Sequence, residues 1–366
     1  MKNCALPVFA SLCLLLNGCG GSAVASPSSA PAASAANGTR PAPASSASGS
    51  PAGVKPSAAA STTTITIGIV GGSPSFTPIY VGVDEGLFQK HGVKLKLVLM
   101  TGSVAMAALL SGSVQIGMDG GAMLQADPSG SKLAFIGALQ NQFNQFVMVT
   151  NPSITAMAGL KGQTVAGATP GSAATVVEQL ILKSAGLDPT SDVKWIYAGT
   201  PAATWAALQS GQVQGAVQAW PYYLLAEKQG FHVLADAKKM KIAGTSLTLG
   251  VSRAWARDNP TLVEGFLKGL VEATALANTD RAKSEAAIAR HLNKDLTTDK
   301  TALDAAFDRM AGTFPQPPYI TKEAVAEAIR DEANPAVHQH KPEDYLDNGP
   351  LDAIVASGFT KPFASP

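Results

Sequence analysis

The stretch AALQSGQVQGAVQAW, Ala206 to Trp220, repeats in register an earlier one, AALLSGSVQIGMDGG, Ala107 to Gly121. Ala-Ala-Leu, Ser-Gly and Val-Gln fall at the same offsets in both. Each reads as a helix that stops at Ser-Gly and feeds a strand, because glycine readily takes the left-handed turn that ends a helix. Local convergence on a good helix stop would explain one such match. Its recurrence at corresponding places in two halves of the chain predicts two related α/β lobes facing each other.

The surrounding pattern agrees. TTITIGIV is β-branched and ends in Gly71-Gly72-Ser73-Pro74, a strand running into a loop. Thr77 to Lys90 has helical spacing and Gly92 stops it; VKLKLVLM (Val93 to Met100) alternates as a strand, and Val104 to Leu110 is a short helix. SGSVQIGMD, KLAFIGAL (Lys132 to Leu139) and NQFVMVTN (Asn144 to Asn151) are extended. The order then restarts: TVAGA, TPGSAATVVEQLILKSAGL, VKWIYA, AATWAALQSG, GAVQAW, PYYLLAEKQG and HVLADA alternate strand and helix. SLTLGVSR (Ser246 to Arg253) is extended again, and beyond Asn259-Pro260 the chain reads as helical to about Ala333. Strand–helix alternation predicts parallel-rich sheets with crossover helices. Residues 62–148 and 246–366 are assigned to lobe 1 with its C-terminal helices, and 149–245 to lobe 2. NQFVMVTN and SLTLGVSR, which cross between lobes, are expected to pair as a two-strand hinge.

The front of the chain has a different texture. Lys2, the apolar run Ala5 to Leu16 and then Leu16-Asn17-Gly18-Cys19 resemble a bacterial lipoprotein leader (residues 1–19), with lipid on Cys19. Asn17 departs from the usual small residue there; an ordinary secretory signal is the alternative, and both export the protein. All three cysteines (Cys4, Cys13, Cys19) lie in this leader, which leaves the folded part without disulfides or thiolate metal sites. Residues 20–61 are Ala, Ser, Pro and Gly with Arg40 and Lys55 as the charged residues, a composition that cannot repay the entropy of folding. Such a tether spans about 35 Å as a coil. Across all 366 residues, Lys+Arg 27 against Asp+Glu 26 gives a net charge of +1, so no nucleic-acid or acidic partner is indicated.

PIYVGVDEGLFQKHGVKL, LKGQTVAGATPGSAATVVEQLILKSAGLDPTSDV and AALQSGQVQGAVQAWPYYLLAEKQG resemble the nitrate/sulfonate/taurine branch of the periplasmic substrate-binding proteins of ABC transporters. The match runs from about Ile65 to Ala237. It implies a two-lobed, type II binding-protein fold of the α/β class, with no cofactor and no chemistry. A small solute would be delivered to an ABC permease with its ATPase. Gln115 and Gln214 stand where that family often has Asp; both lie at strand starts, far from the cleft.

Ligands of open α/β sheets bind beyond the carboxyl ends of the strands. Thr169-Pro170-Gly171-Ser172-Ala173 follows a strand and opens a helix, whose positive end and free N–H groups at Ser172 and Ala173 make an anion site; simple capping is the plainer reading. The resemblance places ligand here. In the first lobe Ser75 is a candidate donor and Phe76 an apolar wall or a core residue. Ser103, in Thr101-Gly102-Ser103, and Gly120 and Gly121 occupy the next strand ends. Gln140 and Asn141 sit near the cleft edge, and Trp220 walls it from lobe 2 or is structural. No Lys or Arg occurs in these loops, which favours a sulfonate with an organic tail over a small hydrated anion. Asp119, if turned inward, suits an amino group. His338 and His340 read as solvated tail residues, so no metal is expected.

Two alternatives to a transport component are a sensor module presenting ligand to a receptor and a thiamine-pyrimidine synthase-like enzyme. The latter needs a Cys-rich segment that this chain lacks beyond Cys19. No P-loop, GxSxG or HExxH motif occurs. The folded body is expected to be a monomer in the periplasm or cell envelope.

Overall fold

The structure, a computed structural model, describes residues 62–100 and 102–363, with the side chains of Val70 and Ser103 excepted. The leader, Cys19 and the Ala/Ser/Pro-rich segment lie outside the described residues.

The first group of elements is β1 (Thr63–Val70), α1 (Thr77–Asp84), α2 (Leu87–Lys90), β2 (Val93–Met100), α3 (Gly102–Leu110), β3 (Gly117–Met118), α4 (Gly120–Ala126) and β4 (Leu133–Ala138). The helix predicted over Thr77–Lys90 is therefore two pieces, parted by Gly86 at φ 67°. The second group is β5 (Val147–Thr150), β6 (Thr164–Gly167), α5 (Ala173–Ser184), β7 (Lys194–Tyr197) and α6 (Pro201–Gln209). It continues with β8 (Gly215–Gln218), α7 (Tyr222–Lys228), β9 (His232–Asp236) and α8 (Ala237–Met240). The chain then returns through β10 (Thr248–Ser252) and α9 (Arg253–Asp258). The helical tail is α10 (Pro260–Thr279), α11 (Arg281–His291), α12 (Lys300–Met310), α13 (Lys322–Asp331) and α14 (Gly349–Ala356). Among the described residues no helix is long and apolar enough to cross a membrane.

Two lobes follow from the sheets. β1 and β2 pair in parallel, and β10 lies between β3 and β4; a bridge between Ile67 and Ile116 links β1 to the approach to β3. The other sheet has the order β7-β6-β8-β5-β9 and uses only residues of the second group. Strands joined through crossover helices are parallel: β1 with β2, and β6 with β7 and β8. β5 and β10 run antiparallel to their neighbours, because each is the first strand after a crossing and enters from the opposite side. The five-stranded sheet is thus mixed, the three-stranded one antiparallel and the two-stranded one parallel.

The same fact relocates the hinge. NQFVMVTN and SLTLGVSR do not pair with each other, since β5 and β10 belong to different sheets. The pairing that joins the two crossings falls just before these strands. Gln142 bridges Ala243 antiparallel, the Phe143 N–H donates to Ile242 O at 2.9 Å, and the Gly244 N–H to Asn141 O at 3.0 Å.

The repeated sequence performs the same local task in both lobes. Gly112 (φ 78°) and Gly211 (φ 76°) end α3 and α6 in the left-handed conformation. The N–H groups of Val114 and Val213 then reach back to Ala108 O and Ala207 O at 3.1 and 3.2 Å. Gln115 Oε1 accepts from the Thr66 N–H at 2.7 Å while its Nε2 donates to Gly112 O at 2.8 Å. Gln214 does likewise with the Thr164 N–H (3.2 Å) and Gly211 O (3.1 Å). A carboxylate accepts but cannot donate, so an amide closes both bonds where Asp would close one.

The largest apolar cluster packs β1 and β10 against α1 and α10, with Phe88 stacked on Phe266 at 5.5 Å between ring centroids. The second lobe buries Val165, Val177, Ile181 and Leu182 on one face of its sheet. Val149, Trp205 and Leu208 cover the other.

Candidate functional site

Strand-end loops of the two lobes meet in a cleft with about 480 Å³ of free space, part of it open to solvent. Gly121 comes from the lobe-1 loop, and Gly171 and Ala173 from the start of α5. Phe143, Gly244, Thr245 and Ser246 of the crossing segments form the floor, and Glu327, Asp331 and Glu332 near the end of α13 form the remaining wall. Asp119 also lines it. Its Oδ1 caps α4 by accepting from the Ala122 N–H at 3.1 Å. Burial, helped by the Glu332 carboxylate, pushes its pKa from 3.8 up to about 6 against the lowering effect of the Ala122 and Gly121 N–H groups. Among the described residues, four carboxylates and no basic side chain line this cavity, so its field favours a cation or an ammonium group.

A second, smaller pocket, tight and partly open, with about 190 Å³ of free space that includes open solvent, lies under Ser73, Pro74 and Ser75 of lobe 1 and Trp220 and Tyr223 of lobe 2. Arg309 and Met310 of α12 and Gln145 of the crossing complete it. The Gln145 Nε2 reaches Ser246 Oγ at 3.4 Å, so a residue lining one cavity touches a residue lining the other. Arg309 gives this cavity the opposite sign. Its Nη2 donates to Asp236 Oδ1 (2.8 Å) and Phe146 O (3.0 Å), its Nη1 to Asp236 Oδ2 (3.2 Å), and the guanidinium lies 5.2 Å from the Tyr223 ring centroid. Lys238 donates to Arg309 O at 2.6 Å, and burial, then the guanidinium, lower its pKa.

Of the residues singled out from sequence, Gly121, Gly171 and Ala173 line the larger cavity, and Ser75 and Trp220 the smaller. Trp220 also spends its Nε1–H on Ala302 O at 2.9 Å, which ties lobe 2 to α12. The other residues have structural partners. Phe76 is buried at 2% exposure in the lobe-1 core, edge-on to Tyr80, and walls neither cavity. The Gly120 N–H donates to Thr245 O at 2.9 Å, and a Cβ there would sit 2.5 Å from Thr245 Cβ, so this glycine serves the approach of the crossing segment. Asn141 clamps the loop before α13, donating to Tyr319 O (2.8 Å) and accepting from the Thr321 N–H (3.0 Å). Gln140 is buried; its Nε2 donates to Thr313 Oγ1 at 2.9 Å, and its Oε1 has no partner.

Ser172 is the N-cap of α5. Its N–H is not free, as expected from sequence, but donates to Thr169 O at 3.1 Å, and its Oγ donates to the same carbonyl at 2.9 Å. The donors at this helix start therefore begin at Ala173. Thr169 is exposed and lines neither cavity. The Ser103 side chain lies outside the described residues. Sequence reading missed Arg309, Gln145 and the α13 acids. The cleft loops do lack Lys and Arg, but the guanidinium arrives from a tail helix, and nothing local to KTALDAAFDRM marks it.

A cleft walled by strand-end loops of two α/β lobes and floored by two crossing segments defines a two-lobed binding-protein fold. The chain belongs to the NMT1/THI5-like family, whose model matches residues 73–282. It is similar to a putative aliphatic sulfonates-binding protein of Escherichia coli (strain K12), 32% identical over 197 residues; the match covers 52% of this chain and 59% of that relative's length. Among solved structures it is similar to the periplasmic aliphatic sulphonate binding protein SsuA from Escherichia coli, with TM-score 0.61 and 24% identity over 78% of this chain and 91% of that one. It is also similar to the periplasmic nitrate-binding protein NrtA from Synechocystis PCC 6803, with TM-score 0.61 and 12% identity over 81% and 89%. At these identities the structural likeness establishes the fold.

Proposed function

We propose that the protein is the exported solute-binding component of an ABC importer. It captures a small organic anion, an organosulfonate first, by hinge closure and passes it to a membrane permease served by an ATPase. The observation that carries this reading is the convergence of Gly121 from one lobe with Gly171 and Ala173 from the other on one cavity floored by the crossing segments. Closing two lobes on such a floor buries a solute between them. Similarity to a relative named as an aliphatic sulfonates-binding protein supports the solute class and a binding rather than an enzymatic role. The carboxylates at Asp119, Glu327, Asp331 and Glu332 favour a sulfonate that also carries an amino group.

Within this proposal lobe 1 comprises residues 62–148 and 246–366 and lobe 2 residues 149–245. Lipid on Cys19 holds the protein at the envelope.

A thermal-shift and calorimetric screen against alkanesulfonates, aminosulfonates, nitrate, aromatic carboxylates and aminopyrimidines tests the reading. A sulfonate at a hundred times its Kd should stabilise the fold by about 2.7 kcal/mol. Stabilisation by aminopyrimidines or nitrate and not by any sulfonate would refute the solute assignment.

A further inference from the structure

We infer that Arg309 is the anion-selecting residue of the small cavity and that its contact with the anion is transmitted to the hinge. The inference deepens the solute reading above by naming where the negative end sits and what it moves.

The first ground is a pair of donors at the cavity, on Arg309 and Ser75, that lack good acceptors among the described residues, beside one acceptor there, Gln145 Oε1, that is itself buried and unpartnered. Arg309 is held in place through Nη1 and Nη2, but its Nε is buried and has no hydrogen-bond partner among the described residues. Ser75, at 1% exposure, donates its hydroxyl only to the thioether of Met310 at 3.5 Å, a weak acceptor. A buried donor left without an acceptor is costly, and an oxygen entering this space would relieve it. Charge then decides which oxygen. Arg309 pairs with Asp236 at 2.8 Å, and the Lys238 ammonium beside it feels the Asp236 and Asp308 carboxylates as well as the guanidinium; a bond from the guanidinium N–H is charge-assisted, so an anionic oxygen gains more from it than a neutral one.

The second ground is where the same guanidinium is anchored. Phe146 and Asp236 are the residues at which the two crossing segments meet lobe 2. Val147 pairs with Asp236 at the edge of the sheet, and the Ala237 N–H donates to Phe146 O at 3.1 Å. Arg309 Nη2 holds both, from a helix that also touches Ser75 of lobe 1 through Met310 and Trp220 of lobe 2 through Ala302. One planar group at the cavity lining therefore carries an unpartnered donor and three bonds to the two residues at the hinge exits. Fixing its Nε on an anion fixes the guanidinium plane, and with it the relation of α12 to both crossings.

The test compares the wild-type protein with Arg309→Gln, Arg309→Lys and Ser75→Ala. The probes are ethanesulfonate, inorganic sulfate and benzoate, with dimethyl sulfone as the uncharged counterpart. Because Arg309→Gln leaves Asp236 without its partner, the double variant Arg309→Gln/Asp236→Asn is included, and far-UV circular dichroism checks every fold. Isothermal titration should show anion affinity falling roughly 10- to 100-fold in both Gln variants and less in Arg309→Lys, with sulfone binding unchanged. Hydrogen exchange gives a readout that a merely structural role would not move: anion should slow exchange of the Ala237 amide in the wild type and not in Arg309→Gln/Asp236→Asn. Carboxylate or sulfate binding with the same dependence on Arg309, and no sulfonate binding, would overturn the organosulfonate reading and support this one. Anion affinity that survives both Gln variants within about twofold would overturn it. So would a wild-type protein that binds no anion of any class.

Discussion

Replacing Asp119 by Asn should stabilise the protein above about pH 6 and leave it unchanged below about pH 4. The carboxyl titrates at about 6 in the folded chain instead of 3.8, chiefly because it is buried, with the Glu332 charge adding to the effect. Between those two values the folded state holds a proton that the unfolded chain has released. Raising the pH through that window therefore favours unfolding, and the penalty is complete once the pH passes 6. A rise of that size corresponds to on the order of 3 kcal/mol. The side chain keeps some solvent, so a gain of about 1–3 kcal/mol is expected in the variant at pH 7. Asn preserves the rest of the arrangement. Its Oδ1 can accept from the Ala122 N–H as the carboxylate does at 3.1 Å, and Asn and Asp are equivalent helix caps.

Urea unfolding of wild type and Asp119→Asn, repeated from pH 4 to pH 8, gives the difference directly. It should be near zero at pH 4, rise through the window and level off by pH 7. Glu332→Gln should move the rise to lower pH, because one of the two causes of the shift is gone. A difference that stays flat from pH 4 to 8, or an Asn variant that is less stable at pH 7, would refute the assignment of burial to this carboxyl. The same titration governs the ligand: an ammonium group held at Asp119 should bind more tightly as the pH rises past 6.

Gln214→Asp keeps the acceptor for the Thr164 N–H and loses the donor to Gly211 O, so it should cost about 0.5–1.5 kcal/mol in denaturant unfolding. Ligand affinity by calorimetry should not change, since the bond lies at the strand start. Gly120→Ala drives a methyl to within 2.7 Å of Thr245 O and should destabilise by about 1–3 kcal/mol. Because Thr245 lines the larger cavity, this variant should also weaken ligand binding, measured on protein shown to be folded. Trp220→Phe removes the bond to Ala302 O at a cost of about 1 kcal/mol but retains a ring in the small cavity. A sulfonate with an apolar tail should therefore lose less affinity in Trp220→Phe than in Trp220→Ala, and equal losses would assign the tryptophan to lobe contact alone.

The strands and helices of both lobes were legible because their signals are local. β1 reads as TTITIGIV and β2 as VKLKLVLM, and the duplicated Ser-Gly fixes two helix ends by the same left-handed glycine. Pairing is a different matter. NQFVMVTN and SLTLGVSR do contain strands, β5 and β10, but period two in a sequence does not say which strand lies alongside. The sheets claimed β5 and β10 separately, and the hinge fell on Gln142 and Ala243. Phe76 shows the same limit at one residue. An aromatic after a strand end suits a cleft wall or a core equally well, and only packing against Tyr80 decides.

The charges of the cleft were illegible for a further reason, which lies in the symmetry of the molecule. The lobes contribute glycine and alanine backbone: Gly121 on one side, Gly171 and Ala173 on the other. Gly121 closes the earlier copy of the repeated stretch, and Gly171 and Ala173 open a helix just after a strand, so each is marked by its local sequence. Arg309 on α12 and the acids at the end of α13 sit in the helical tail, which has no counterpart in lobe 2. In sequence they look like the solvated face of amphipathic helices, where charged residues are ordinary. The tail folds back so that α12 meets both crossing exits and α13 meets the larger cavity. In the closure proposed above the two lobes come together on the solute, and the tail gives the site one positive and one negative end. Relatives with the same lobes and a different charge at these tail positions should therefore differ in the charge of what they carry.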